Sequence, residues 1–229
     1  MQITFWELGW RSFWRDLRAG ELRLVVVAVA LAVAALTAVG FFADRIQGGL
    51  QRDARQLMGG DAVVVSDNPI PDAFLAQVKA LGLQQTTNLS FPTMARALET
   101  DGGSTKLVSL KVVAEGYPLR GRLRVSQQPD SNGDLTSDIP QPGQAWVDAA
   151  LLDALALPVG GNLLLGDSSF KVSRIVVNEP DRGAGFMNFA PRVMINQADI
   201  AATGLIQPAS RVRYRLAVAG DDRPVKAFV

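Results

Sequence analysis

Three patterns of apolar and polar positions follow one another along this chain. Near the N-terminus, Phe5, Trp6, Trp10, Phe13, Trp14 and Leu17 recur at steps of three and four, while Arg11, Arg15, Asp16 and Arg18 fill the other side. That spacing predicts an amphipathic helix within residues 1–23. It suits a cytoplasmic membrane interface, with Trp6, Trp10, Phe13 and Trp14 at headgroup depth and Arg in water, or a face packed on a protein partner. Leu24–Phe42 (LVVVAVALAVAALTAVGFF) then runs without a charge. At about 1.5 Å per residue it reaches roughly 28 Å, close to the ~30 Å of a bilayer's hydrocarbon core, and predicts a transmembrane helix over 24–42. A signal peptide is the rival reading, with Ala38-Val39-Gly40 as a weak cleavage site, but its apolar region is usually shorter. Ile46, Leu50, Ala54 and Leu57 carry helical periodicity on as a stalk over 43–60, weakened at Gly48-Gly49 and ended by Met58-Gly59-Gly60.

The third pattern, short alternating runs between turn residues, fills 61–229. Strands are expected at Asp61–Ser66, Pro92–Glu99, Thr105–Ala114, Asn162–Leu165, Ser169–Val177, Val193–Ile195 and Arg211–Val218. Asp101-Gly102-Gly103 and Gly166-Asp167-Ser168 mark hairpins. Helices are expected at Pro71–Leu81, Asp148–Leu155 with Asp148 as cap, and near Gln197–Thr203. Gln127–Pro142 is a polar loop, and Pro92 is expected to start a strand or sit at a sheet edge. Strand runs with isolated helices give an α+β domain over 61–229 rather than a doubly wound sheet.

Composition removes chemistry more than it adds any. The 229 residues hold no His and no Cys, so Ser-His-Asp triads, thiol nucleophiles and His- or Cys-bearing metal sites are excluded. A formal net charge of +1 gives no basic footprint for nucleic acid. Mean hydropathy is +0.15, the excess lying in the apolar run. Arg11, Arg15, Arg18 and Arg23 before the run against Arg45, Arg52 and Arg55 after it favour a cytoplasmic N-terminus, which places the α+β domain in the periplasm of an inner-membrane protein. No phosphate-binding Gly motif is present. The Ser104/Lys106 and Ser169/Lys171 pairs read as solvated strand faces rather than nucleophile and base. The reading is of a chain without catalytic residues, metal or cofactor of its own.

Three segments do not fit simple elements: Phe91-Pro92-Thr93-Met94, Tyr117-Pro118-Leu119-Arg120-Gly121, and Glu179-Pro180-Asp181-Arg182-Gly183-Ala184-Gly185-Phe186. The last combines turn residues with a charge cluster and a large apolar side chain, which suits a partner-contacting loop. Glu179, Asp181, Arg182, Phe186, Tyr117 and Arg120 are therefore candidate partner-binding residues, with Arg182 placed to pair at home with Asp181 or Glu179, or with a partner's carboxylate. At the C-terminus, Pro224 followed by apolar residues looks like a helix start and suggests a longer protein.

In that order, Asp16–Arg23 leading into Ala38–Arg45, Arg55–Asp61, Phe91–Met94, Tyr117–Gly121, Glu179–Phe186, Ala190–Met194 and Ser210–Tyr214 resemble FtsX/MacB-type ABC transporter permeases, above all their YbbP-like branch. The resemblance implies an N-terminal part of a longer permease with a MacB-like periplasmic core domain. It implies a separate cytoplasmic ATPase subunit that holds the ATP, and a dimeric or pseudo-dimeric permease. It further implies mechanical work on membrane lipid, lipoprotein or a periplasmic esterase or lysophospholipase-type partner. A free-standing single-span anchor, its domain binding a partner protein or lipid, is the alternative.

Overall fold

The computed structural model describes residues 5–183, 189–208 and 210–229. Contacts divide the chain into two compact units, Met1–Arg52 and Asp53–Val229.

In the first unit, α1 (Phe5–Ala19) shows an exposed aromatic stripe in which Trp10 and Phe13 stack with centroids 5.9 Å apart. Gly20 separates it from the next helix with φ +92, a left-handed conformation that only Gly takes without strain. The second helix, α2 (Glu21–Met58), is continuous. The stalk expected over 43–60 continues the helix of the 24–42 span as one element: Gly48 and Gly49 stay helical because an unbroken ladder on both sides outweighs roughly 1 kcal/mol of propensity each. The stretch from Arg23 is apolar and long enough to cross a membrane.

The second unit is an α+β domain with strands β1 (Ala62–Ser66), β2 (Gln84–Ala97), β3 (Thr105–Val113), β4 (Leu123–Ser126), β5 (Asp134–Thr136), β6 (Gln144–Val147), β7 (Asn162–Leu165), β8 (Ser168–Asn178), β9 (Arg192–Asn196) and β10 (Arg213–Ala219). Its helices are α3 (Asp72–Ala80), α4 (Ala149–Leu155) and α5 (Asp222–Phe228). The sheet runs β1-β10-β2-β3-β9-β6-β8-β4-β5, and β7 pairs with both β2 and β8. The pairing β2–β3–β9–β6–β8–β7–β2 therefore closes a ring. Its β3–β9 and β6–β8 contacts are parallel and the others antiparallel. Alternate residues fill its inside: Val108, Leu110 and Val112 of β3 meet Val193 and Ile195 of β9, Ala145 and Val147 of β6, and Phe170 and Val172 of β8. Leu151, Leu152 and Leu155 of α4 complete this core.

β1 and β10 extend the sheet beyond the ring, on the first half of β2. There α3 and α5 bury Val78, Val225 and Phe228 against Leu216 and Val218. The helix at α5 agrees with the Pro224 signal. Asp221 and Asp222 are its N-cap and first residue, and Asp222 pairs with Arg55 at 2.7 Å.

Four expectations are revised by the structure. Pro92 lies inside β2, not at its start or at a sheet edge. Opposite it, Ser109 sends its N–H to Pro191 on the β9 side, so Pro92's nitrogen faces the other way, into a gap. β10 pairs with β2 only up to Ser90, and β7 begins at Ala95. No ladder bond is lost there, which removes the usual penalty for Pro in a strand. The polar loop 127–142 contains a short strand, β5, and Gln197–Thr203 is a 3₁₀ helix. Asp148 stands at the N-cap position of α4, yet its carboxylate makes no cap bond because two arginines occupy it.

Candidate functional site

Alternation puts the odd-numbered residues of β3 outside the ring. In SLKVV, Leu110 and Val112 enter the core while Ser109 and Lys111 turn outward. Register aligns polar neighbours beside them. Ser90 of β2 lies between Lys111 and Arg213 of β10, Asn88 is opposite Arg215, and Ser109 is beside Arg192 of β9. One outer face of the sheet is thus polar across four strands. The segment leaving β8, Glu179–Gly183, covers part of it.

That cover makes a buried ion cluster. Lys111 Nζ donates to Glu179 Oε1 at 2.6 Å, to Asp181 Oδ1 at 2.8 Å and to the Tyr117 hydroxyl at 2.8 Å. Tyr117 in turn donates to Asp181 Oδ1. Arg192 Nε donates to Glu179 Oε2 at 2.8 Å, and another of its nitrogens to Ser109 Oγ. Lys111, Glu179, Asp181 and Arg192 are each under 5% exposed. Burial alone would raise the Glu179 pKa, but Lys111 and Arg192 overcome it and hold the carboxyl below its ordinary value. Burial, reinforced by Asp181 and Glu179, pushes the Tyr117 phenol well up, so it remains a donor. A chain of charge-assisted bonds with every carboxylate compensated pins the 179–183 segment to β3 and β9.

Two bidentate pairs flank the cluster. Arg182 grips Asp148 at 3.2 and 2.7 Å, and Asp148 also accepts the Arg192 backbone N–H at 2.9 Å. The expected home pairing of Arg182 with Asp181 or Glu179 is thus corrected: those carboxylates turn inward to Lys111. Arg120 grips Asp61 at 3.0 and 2.6 Å, and Asp61 also accepts from Gly220. Burial would raise the Asp61 pKa, yet the Arg120 bonds and the Gly220 amide lower it.

The structure therefore brings Glu179, Asp181 and Tyr117 into one buried cluster, sets Arg182 beside it, and puts Arg120 in a separate pair. Phe186 lies outside the described residues, as do Gly185 and Met187. Phe189 is 86% exposed. Trp6, Trp10, Phe13 and Trp14 lie on the exposed stripe of α1. Lys111, Arg192, Asp148, Asp61 and Arg215 are the members that residue-by-residue reading missed. The signal available was a polar residue at alternate positions of an apolar strand, as in Ser109 and Lys111. Among the described residues no group of Asp or Glu side chains is arranged to hold a metal ion, and the Ser104/Lys106 and Ser169/Lys171 pairs are exposed.

Beside the cluster, the same polar face is open as a cleft of about 820 Å³ lined by residues of β2, β3, β10 and the 179–183 and 210–213 segments. Its cations are Lys111, Arg182, Arg192, Arg211, Arg213 and Arg215, and its carboxylates are Asp67 and Asp181. The cluster itself offers no nucleophile and no general base in reach of solvent. Its chemistry is positional and electrostatic.

No family model matches the chain. Over 218 residues it is 33% identical to YbbP of Escherichia coli K12, an uncharacterised ABC transporter permease. The match spans 95% of this chain and 26% of that protein. Two solved structures are similar to it at 11% identity. One is the extracellular domain of the noncanonical ABC-type transporter YknZ from Gram-positive bacteria, with TM-score 0.47 over 73% of this chain and 88% of that one. The other is the periplasmic region of MacB from Actinobacillus actinomycetemcomitans, with TM-score 0.45 over 76% and 82%.

Proposed function

Starting from the chain's place among the ABC transporter permeases of YbbP type, we propose that it is the N-terminal part of a membrane permease that passes force from a cytoplasmic ATPase to its periplasmic domain. The observation that carries this reading is the 33% identity over 95% of the chain. In this reading α2 anchors the protein in the inner membrane, α1 lies at the cytoplasmic surface, and the second unit is periplasmic. ATP is bound and hydrolysed on a separate subunit, and the permease acts as a dimer or pseudo-dimer. The work done is on membrane lipid, lipoprotein or an esterase or lysophospholipase-type partner. The buried ion cluster supports a force-bearing domain, since charge-assisted bonds hold the 179–183 segment to the sheet at several points.

The test is purification of the tagged, full-length protein from native membrane after mild cross-linking, with ATPase activity measured on the product. Stoichiometric recovery of a cytoplasmic ATPase, with a periplasmic hydrolase or lipoprotein alongside, is the expected result. A cross-linked product with no ATPase would overturn the permease reading and leave a single-span anchor.

A further inference from the structure

Four observations converge on the open part of the polar face. Arg211, Arg213 and Arg215 follow one another at a spacing of two, so their side chains share one side of the chain's path into β10, and all three line the cleft. Arg211 and Arg213 have no ion pair among the described residues. Arg215 reaches Asp181 and the Met58 carbonyl with its terminal nitrogens, but its Nε is buried and unpartnered. Directly across the ladder, Asn88 is 5% exposed, and its Oδ1 is likewise buried without a partner. Buried polar atoms are rarely left so, and each marks a place where a partner of the opposite kind is missing. Here the two kinds are a guanidinium donor and an amide acceptor, side by side.

The charge balance says what would complete them. Asp181 is already bound by Lys111, Tyr117 and Arg215, so it adds little negative potential to the cleft. Asp67 is exposed at the rim. Arg211 and Arg213 are left uncompensated beside the ion-paired Arg215 over a concave surface, which concentrates field and favours an oxyanion. Guanidinium forks match phosphate geometry. The Asn88 acceptor adds a second requirement, a hydroxyl donor on the ligand.

We propose that this cleft binds a hydroxyl-bearing phosphate group, either free phosphate or the headgroup phosphate of a glycerol-type lipid, through Arg211, Arg213, Arg215 and Asn88. The site does not depend on the permease reading, and a phosphate-binding domain on a single-span anchor would show it equally.

The experiment is calorimetric titration of the full 229-residue chain in a neutral maltoside detergent, at constant ionic strength set with chloride. The probes are inorganic phosphate and glycerophosphoglycerol, the deacylated headgroup of phosphatidylglycerol. Saturable binding is expected, weakened about tenfold or more by Arg211→Gln and by Arg213→Gln. Arg96→Gln, an exposed β2 arginine outside the cleft, should change it less than about twofold. Headgroup binding tighter than inorganic phosphate identifies the lipid source, and the reverse order identifies free phosphate. Because a variant could fold poorly, the unmodified chain is also treated with phenylglyoxal, and phosphate should protect Arg211 and Arg213 selectively. No saturable heat up to about 10 mM ligand, equal loss with Arg96→Gln, or no protection of the two arginines would each overturn the proposal.

Discussion

Lys111 is the residue on which the buried cluster turns, because it alone touches both carboxylates and the phenol. Replacing it by Met keeps the volume but leaves Asp181 without its ammonium and Glu179 with Arg192 alone. Removing one partner of a buried pair costs about 3–5 kcal/mol, so Lys111→Met should lower the free energy of unfolding in urea by that amount. The cluster also sets an acid limit. The Glu179 pKa is depressed in the folded protein, first against the cost of burial and then by Lys111 and Arg192. Its contribution is therefore complete above the unfolded value of about 4.3 and is lost as pH falls below that, through the folded value. Asp61, held down by Arg120, acts in the same direction. Urea midpoints measured from pH 7 to pH 3 should fall steeply in the acid range, and Glu179→Gln should lower the neutral plateau while flattening that slope. Part of this was readable in the sequence. Glu179, Asp181, Tyr117 and Arg182 stand out as charged or polar residues in irregular segments. Their inward orientation does not, because the partners Lys111 and Arg192 lie in strands far along the chain and only register brings them close.

At the level of elements, alternation and turn chemistry identify β3, β7, β8 and both of their hairpins, but not β4 and β6, which are no shorter than β7. The β7–β8 turn is tightly built. Gly166 has φ +56, and a Cβ there would fall 2.0 Å from the Thr203 carbonyl oxygen. Gly166→Ala should cost about 1–3 kcal/mol for the dihedral alone and more for the clash, read as a fall in melting temperature, whereas Gly143→Ala, at φ +77 with nothing within 4 Å, should show the dihedral cost without the clash. The apolar helix invites a different substitution. Arg in place of Val33, near the middle of the run, should cost about 2.5–3.5 kcal/mol of insertion, and the fraction of chain recovered in membrane should drop accordingly. If mature protein instead began near Phe41 and stayed in solution, the segment would be a signal peptide.

For the whole molecule, the proposed topology, taken from the charge bias around α2, has a cytoplasmic N-terminus. A reporter active only in the periplasm should work when fused after Gln128 and stay silent when fused before Arg11, and the opposite pattern would reverse the topology. The ring of strands described above also has a consequence in time. Among the described residues β1 is the first strand in the chain, yet its one neighbour there is β10, with Ala62 meeting Val218. β2 likewise waits for β7 on one half and β10 on the other. Closing such distant pairs is slow, because the entropy of a long loop is spent before any contact rewards it. A growing chain therefore carries β1 and one side of β2 as bare hydrogen-bonding edges until β10 has been made. Whatever meets the nascent domain during that interval meets two unfinished edges, and any chain cut short before β10 keeps them permanently open to pairing with a second copy.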